Sequence, residues 1–152
     1  DFENDICNAL AEGWEKIKKY KRINLLINKN NKYSYLKKIE KGFVNFCIDH
    51  SLDYKVVNRG QEDIFVANGD LFVVIEDDDL VELIDLVKTK KIILGKDIGV
   101  ISYDETPLKR LLDVAVVSTD FNKMGATAAE MIVANKKGKI KNPFHFIDRG
   151  SI

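Results

Sequence analysis

Apolar positions along this chain recur with two different periods, and the alternation between them outlines the fold. Between residues 3 and 18, Ile6, Leu10, Trp14 and Ile17 follow steps of four, four and three, which places them on one face of a helix. Lys18, Lys19 and Lys21 mark its end, where cations favour the negative pole of the helix dipole. Ile23 to Ile27 is short and mostly apolar and predicts a buried strand, followed by a loop carrying Asn28, Asn30 and Asn31. The spacing of Leu36, Ile39, Phe43, Phe46 and Cys47 predicts a helix over Ser34 to His50. Tyr54 to Val57 reads as a second strand, closed by Asn58-Arg59-Gly60. Residues 58 to 70 are polar and irregular apart from Ile64-Phe65-Val66, and Gly69-Asp70 signals a turn.

Leu71 to Ile75 is a third strand, and Asp77 to Val87 a helix with Leu80, Leu83, Ile84 and Val87 inward. Asp79 followed by Glu82 resembles a capping box with Asp in place of Ser or Thr. Ile98 to Ser102 is a fourth strand; Thr106-Pro107 then supplies an N-cap and a first helical residue for a short helix to Leu112. Val114 to Val117 is a fifth strand. The last helix is expected from Phe121 to Asn135, with Phe121, Met124, Ala128 and Ile132 facing in and Gly138 ending it, before a closing strand at Phe144 to Ile147. Strands alternating with helices imply right-handed βαβ units, hence an α/β fold of three layers around a mainly parallel sheet. Ligands of such sheets bind at the carboxyl ends of the strands. Asn28, Arg59, Glu76-Asp77 and Asp104 each follow directly on a predicted strand.

A chain of 152 residues has room for one such domain. Its 24 Lys and Arg balance 24 Asp and Glu, which argues against a nucleic-acid surface on this piece, because phosphate binding needs clustered excess cations. With 45% hydrophobic and 32% charged residues the chain suits a soluble globular domain. Runs such as Leu71 to Ile75 are far too short to span a membrane. Cys7 and Cys47 lie among apolar neighbours and read as buried free thiols rather than a disulfide, in keeping with a reducing cytosol. No secretion signal is read at the start, and a chain that opens at Asp1 is expected to be a fragment or a mature piece of a longer protein.

Chemistry-bearing motifs are few. Counted as a calcium loop from Asp77, the acidic run Glu76-Asp77-Asp78-Asp79 has Glu82 where Gly is needed and Lys88 where the last Glu is needed, so that reading fails. The acids either favour the helix start through its dipole or form an acidic pocket. His50 and His145 have no partners at metal-ligand spacing, and no phosphate-binding glycine motif or nucleophile elbow is present. No metal or cofactor is expected, and no enzyme motif occurs; acid pairs around Glu76, Asp77 and Asp104 are the chemistry that would remain for an enzyme. Asp104 either binds ligand or assists its turn, and Phe121, after Asp120, is either core or pocket wall. A carboxylate on adjacent hydroxyls, with a ring against the apolar face, holds a neutral sugar.

The order of these segments resembles the sugar-sensing effector domain of lac-repressor-type regulators and their periplasmic sugar-binding relatives. The resemblance rests on Asp1 before the first helix, Lys41-Gly42-Phe43, Phe72 to Asp77, and above all Asp97 to Asp104. It continues through Val116 to Phe121 with Met124-Gly125 and Ala128-Ala129, and ends at Ile147 to Ser151 with its Arg-Gly-Ser. It implies a type 1 periplasmic-binding-protein-like fold, in which two lobes close on a small molecule. Residues 1–118 would form the C-terminal lobe, and 119–152 a return segment whose helix packs on the other lobe. By position Asp104 matches the family's hydroxyl-binding Asp, and Phe121, after Asp120, its pocket aromatic. Glu76 and Asp77 fall on its Asn-Asp pair, and Arg59 lies near its variable ligand loop. The family's Arg three residues before Gly-Phe is Ile39 here, leaving Lys38 or Arg59 to substitute. The resemblance further implies a cytoplasmic, homodimeric regulator with a DNA-binding head, of the GntR type, outside this chain. Its effector would be a monosaccharide such as fucose or arabinose; a periplasmic protein for sugar uptake is the alternative.

Overall fold

The computed structural model describes residues 1–30 and 32–152; Asn31, expected in the loop after the first strand, lies outside them. In chain order the elements are α1 (Phe2–Glu12), α2 (Trp14–Ile17), β1 (Arg22–Ile27), α3 (Ser34–Asp49), β2 (Asp53–Asn58), β3 (Asp70–Val74), α4 (Asp77–Thr89), β4 (Gly99–Tyr103), α5 (Pro107–Leu111), β5 (Ala115–Thr119), α6 (Phe121–Val133) and β6 (Phe144–Ile147). The strands form one sheet in the order β2-β1-β3-β4-β5-β6. All pairings are parallel except that of β6, which runs antiparallel to β5.

Register explains why the strands read as continuous apolar runs. Leu25, Val73, Ile101 and Ala115 are successive partners across the sheet and point to the face covered by α1 and α3. Their neighbours Leu26, Phe72, Val74 and Val100 point the other way, onto Leu80, Leu83 and Val87 of α4. Both faces are therefore buried, as a parallel sheet requires. Ile64 and Val66, from the irregular stretch before β3, complete the second layer. The α1–α3 crossing is close: a Cβ on Gly42 would stand 2.1 Å from the Glu3 carbonyl oxygen.

Four expectations are corrected. The first helix breaks at Gly13, a weak helix former, whose N–H turns to the Ala9 and Leu10 carbonyls. The capping box at Asp79 and Glu82 does not form, because α4 already begins at Asp77 with Glu76 in the cap position, and both acids turn to Arg59. The stripe Phe121, Met124, Ala128 and Ile132 does not face in. Among the described residues none of α6 is buried, and Ile132 is 79% exposed, because α6 leaves the sheet instead of lying on it. That helix also stops at Val133, with Asn135 in the left-handed region, ahead of Gly138.

Candidate functional site

In an open parallel sheet, the crevice lies where the strand order reverses. Here that point is between β1 and β3, since β2 lies on one side of β1 and β3 to β5 extend on the other. The chain after β3 supplies Ile75 and Glu76, the end of β4 supplies Tyr103 and Asp104, and the first turn of α3 supplies Tyr35. With Phe2 of α1 these residues line a cleft of about 220 Å³.

The Asp104 backbone has φ +62°, a left-handed conformation that short polar side chains tolerate best after Gly. Its N–H donates to the Val117 carbonyl at 2.8 Å, and the next N–H, of Glu105, to Ser118 Oγ at 2.9 Å. The turn is held from beneath by Lys109. Its side chain is only 2% exposed, and the ammonium donates to the Tyr103 carbonyl at 2.7 Å and the Asp104 carbonyl at 3.0 Å and pairs with Asp77 Oδ1 at 2.8 Å.

Burial pushes the Asp104 carboxyl above its ordinary pKa, against the opposing pull of Lys109 and the Thr119 N–H, with Asp77 adding to the rise. Burial, then Asp104, likewise raises the Tyr103 phenol; burial, then Glu76, Tyr33 and Asp104, raises Tyr35. Both phenols therefore stay neutral donors beside two carboxyl acceptors. The rings form a wall: Phe2 and Tyr35 have centroids 5.4 Å apart, Tyr33 stacks on Tyr35 at 5.6 Å, and Tyr103 meets Phe144 at 5.3 Å. No Lys or Arg is among the described residues lining the cleft. The arrangement can accept hydroxyl hydrogens, donate from two phenols and cover an apolar face, a set suited to a neutral polyhydroxyl molecule.

The remaining predicted site residues lie elsewhere. Arg59, with its side chain 9% exposed, is held by Asp79 Oδ1 at 2.9 Å, Glu82 Oε2 at 2.5 Å and the Glu62 carbonyl, so it clamps β2 to α4 and does not line the cleft. Asp77 pairs with Lys109 and is not among the residues lining the cleft. Asp120 caps α6, its Oδ1 accepting from the Lys123 N–H at 2.8 Å. With Phe121 it borders a second depression of about 400 Å³, shared with Glu105, Arg110, Ser118 and His145. The structure thus brings together Glu76 and Asp104 and separates both from Asp120 and Phe121. Sequence reasoning missed Phe2, Tyr35 and Lys109; Phe2 stands one residue before the first predicted helix, Tyr35 stands just inside the next, and nothing in the local sequence distinguishes Lys109 from a surface lysine. A third, apolar groove of about 270 Å³ runs between α4 and α5, lined by Leu80, Val81, Ile84, Leu108 and Leu112 beside Asp77 and Lys109. Among the described residues there is no cluster able to hold a metal ion and no helix long and apolar enough to cross a membrane.

Residues 16–151 match the family model described as a periplasmic binding protein-like domain. No curated protein matches the chain by sequence. Among solved structures, a LacI transcriptional regulator from a Rhodococcus species superposes with a TM-score of 0.74 at 17% identity, over 99% of this chain and 62% of that one. The Escherichia coli transcriptional repressor ascG gives 0.73 at 11% identity, over 100% of this chain and 62% of that one. A periplasmic binding protein/LacI transcriptional regulator from Alkaliphilus metalliredigens, complexed with D-xylulofuranose, gives 0.72 at 16% identity, over 99% and 63%. The chain spans about three fifths of each of these structures.

Proposed function

The chain belongs to the periplasmic binding protein-like domain family, and on that premise we propose that it is the ligand-sensing part of a transcription regulator whose effector is a neutral monosaccharide. The observation that carries this reading is the cleft at the strand-order reversal, where two carboxyl groups and a wall of rings meet without a lining cation. Glu76 and Asp104 accept from sugar hydroxyls, Tyr35 and Tyr103 donate to them, and the rings take the apolar face. A phosphorylated or acidic sugar would meet two like charges there. A pentose or deoxyhexose, such as arabinose or fucose, fits the size and the charge, and the neighbour complexed with D-xylulofuranose is in keeping with a five-carbon ligand.

In this account residues 1–118 form one lobe, and the exposed stripe of α6 within 119–152 is covered by the other. Sugar between the lobes favours the closed state only through its differential affinity for that state. Closure then alters operator binding by a DNA-binding head outside this chain, and the linkage is reciprocal. The regulator acts as a homodimer in the cytoplasm. The exposed apolar side chains Val81, Leu108, Leu111 and Leu112 on neighbouring α4 and α5 support self-association.

The test is a melting-temperature screen of the protein against L-arabinose, L-fucose, D-xylose and their phosphorylated forms, with Asp104→Asn and Phe121→Ala alongside. A sugar at a hundred times its dissociation constant stabilises by about 2.7 kcal/mol. The expected result is a shift with a neutral sugar that is lost in Asp104→Asn and kept in Phe121→Ala. Loss in both variants would mean a site spanning both depressions. A response confined to phosphorylated sugars, or none to any sugar, would overturn the reading.

A further inference from the structure

The least expected side chain near the cleft is Lys109, the third residue of α5. A cation in a first helical turn faces the positive end of the dipole, and a buried ammonium is costly unless every donor is used. At 2% exposure Lys109 meets both objections with two hydrogen bonds and an ion pair. The hydrogen bonds go to the consecutive carbonyls of Tyr103 and Asp104, whose side chains line the cleft. The ammonium also forms an ion pair at 2.8 Å with Oδ1 of Asp77, the neighbour of Glu76.

We propose that Lys109 is the positioning residue of the ligand cleft: by bonding the Tyr103 and Asp104 carbonyls and the Asp77 carboxylate together, it holds the left-handed Asp104 turn against the start of α4 and so fixes the spacing of Glu76 and Asp104. The inference rests on reading that cleft as the ligand site. The two acids follow the neighbouring strands β3 and β4, whose ladder ends at the pair Val74 and Ser102, and beyond that pair Lys109 links the two segments. The Glu76 side is reached through Asp77 at the first residue of α4, and the Asp104 side through two backbone carbonyls. Lys109 joins these two arms in a single side chain. A methionine of similar length would fill the space of the stem but leave both carbonyls without their donor and Asp77 without its cation.

Carboxyl titration by NMR on the whole chain tests this without a ligand. The charged and titratable groups that face Asp104 are Lys109 from α5, Asp77 from α4, Tyr35 from α3 and the adjoining Tyr103; the Thr119 N–H faces it from β5. In Lys109→Met the Asp104 midpoint is expected to move upward, because the ammonium lowers it. The amide signals of Glu76-Asp77 and of Tyr103 to Glu105 are expected to shift together. In Asp77→Asn the midpoint is expected to move downward, since a facing negative charge is gone. A role in packing alone gives a lower melting temperature in Lys109→Met with the Asp104 midpoint unchanged, and that result in a folded variant overturns the proposal. Where Lys109→Met does not fold, the wild type decides. A slowly exchanging Lys109 ammonium signal, weakened in Asp77→Asn, supports the arrangement of two hydrogen bonds and an ion pair, and its absence from the wild type overturns it. Either failure removes the positioning role and leaves the cleft to the sugar screen, which fails or succeeds independently.

Discussion

At position 104 the backbone and the side chain make separate demands on one residue. The backbone needs a side chain that tolerates φ +62°, and the cleft needs a carboxyl acceptor in a buried place. Because burial raises the folded-state pKa above the unfolded value, Asp104 contributes stability that is fully present below the ordinary carboxylate range and is lost as pH rises through the folded pKa. Its ionised form therefore opposes folding. Asn tolerates the same backbone and keeps an acceptor for the Thr119 N–H, so Asp104→Asn is expected to melt above the wild type at neutral pH. The advantage should disappear in acid, while the ligand response is lost at every pH. Asp104→Ala lacks the local polar group and is expected to lose about 1 kcal/mol from the left-handed backbone alone; melting curves from pH 3 to 8 check both. That Glu76 and Asp104 stand at the strand ends lining the cleft was legible because each follows directly on an apolar strand. Arg59 follows a strand too, yet its partners Asp79 and Glu82 come from a helix that only the folded chain brings near. Lys109 was illegible for the same reason in reverse, since its burial is set by two carbonyls and an acid on other elements.

Among the elements, the strands were readable because both faces of a parallel sheet are buried and their residues form short apolar runs. The start of α5 was readable because Thr106 caps it, accepting from the Lys109 N–H, with Pro107 at its first position. The capping box was misread because three consecutive acids begin α4, and periodicity alone does not say which of them is first. The stripe on α6 is amphipathic, but amphipathicity does not say what covers it. The closest helix contact depends on a residue that no periodicity marks. A Cβ on Gly42 would stand 2.1 Å from the Glu3 carbonyl oxygen and 2.5 Å from Ile6 Cγ2, both on α1. Gly42→Ala is therefore expected to force α1 and α3 apart and to cost roughly 1–3 kcal/mol, as overpacking does. Urea unfolding checks it, with a lowered midpoint at unchanged slope as the expected form.

For the whole molecule, a sheet with the order β2-β1-β3-β4-β5-β6 has one natural crevice, at its reversal, and the ring-and-carboxylate cleft lies there. With two carboxyl groups and no Lys or Arg among the described lining residues, that crevice suits a neutral ligand better than a phosphate. The groove between α4 and α5 is the surface assigned to self-association, and Leu111, at 80% exposure, lies beside it on α5. Leu111→Glu is expected to halve the mass seen in sedimentation equilibrium and to remove the dependence of melting temperature on protein concentration, with little effect on the cleft. An unchanged mass would place the contact elsewhere. The cleft itself is tested most directly by mapping amide shifts during a titration with the neutral sugar that stabilises best. The expected result is a saturable shift centred on Tyr35, Glu76, Tyr103 and Asp104, with Asp120, Phe121 and His145 little changed. Saturable shifts centred on Phe121 and His145, with Glu76 and Asp104 unmoved, would contradict it.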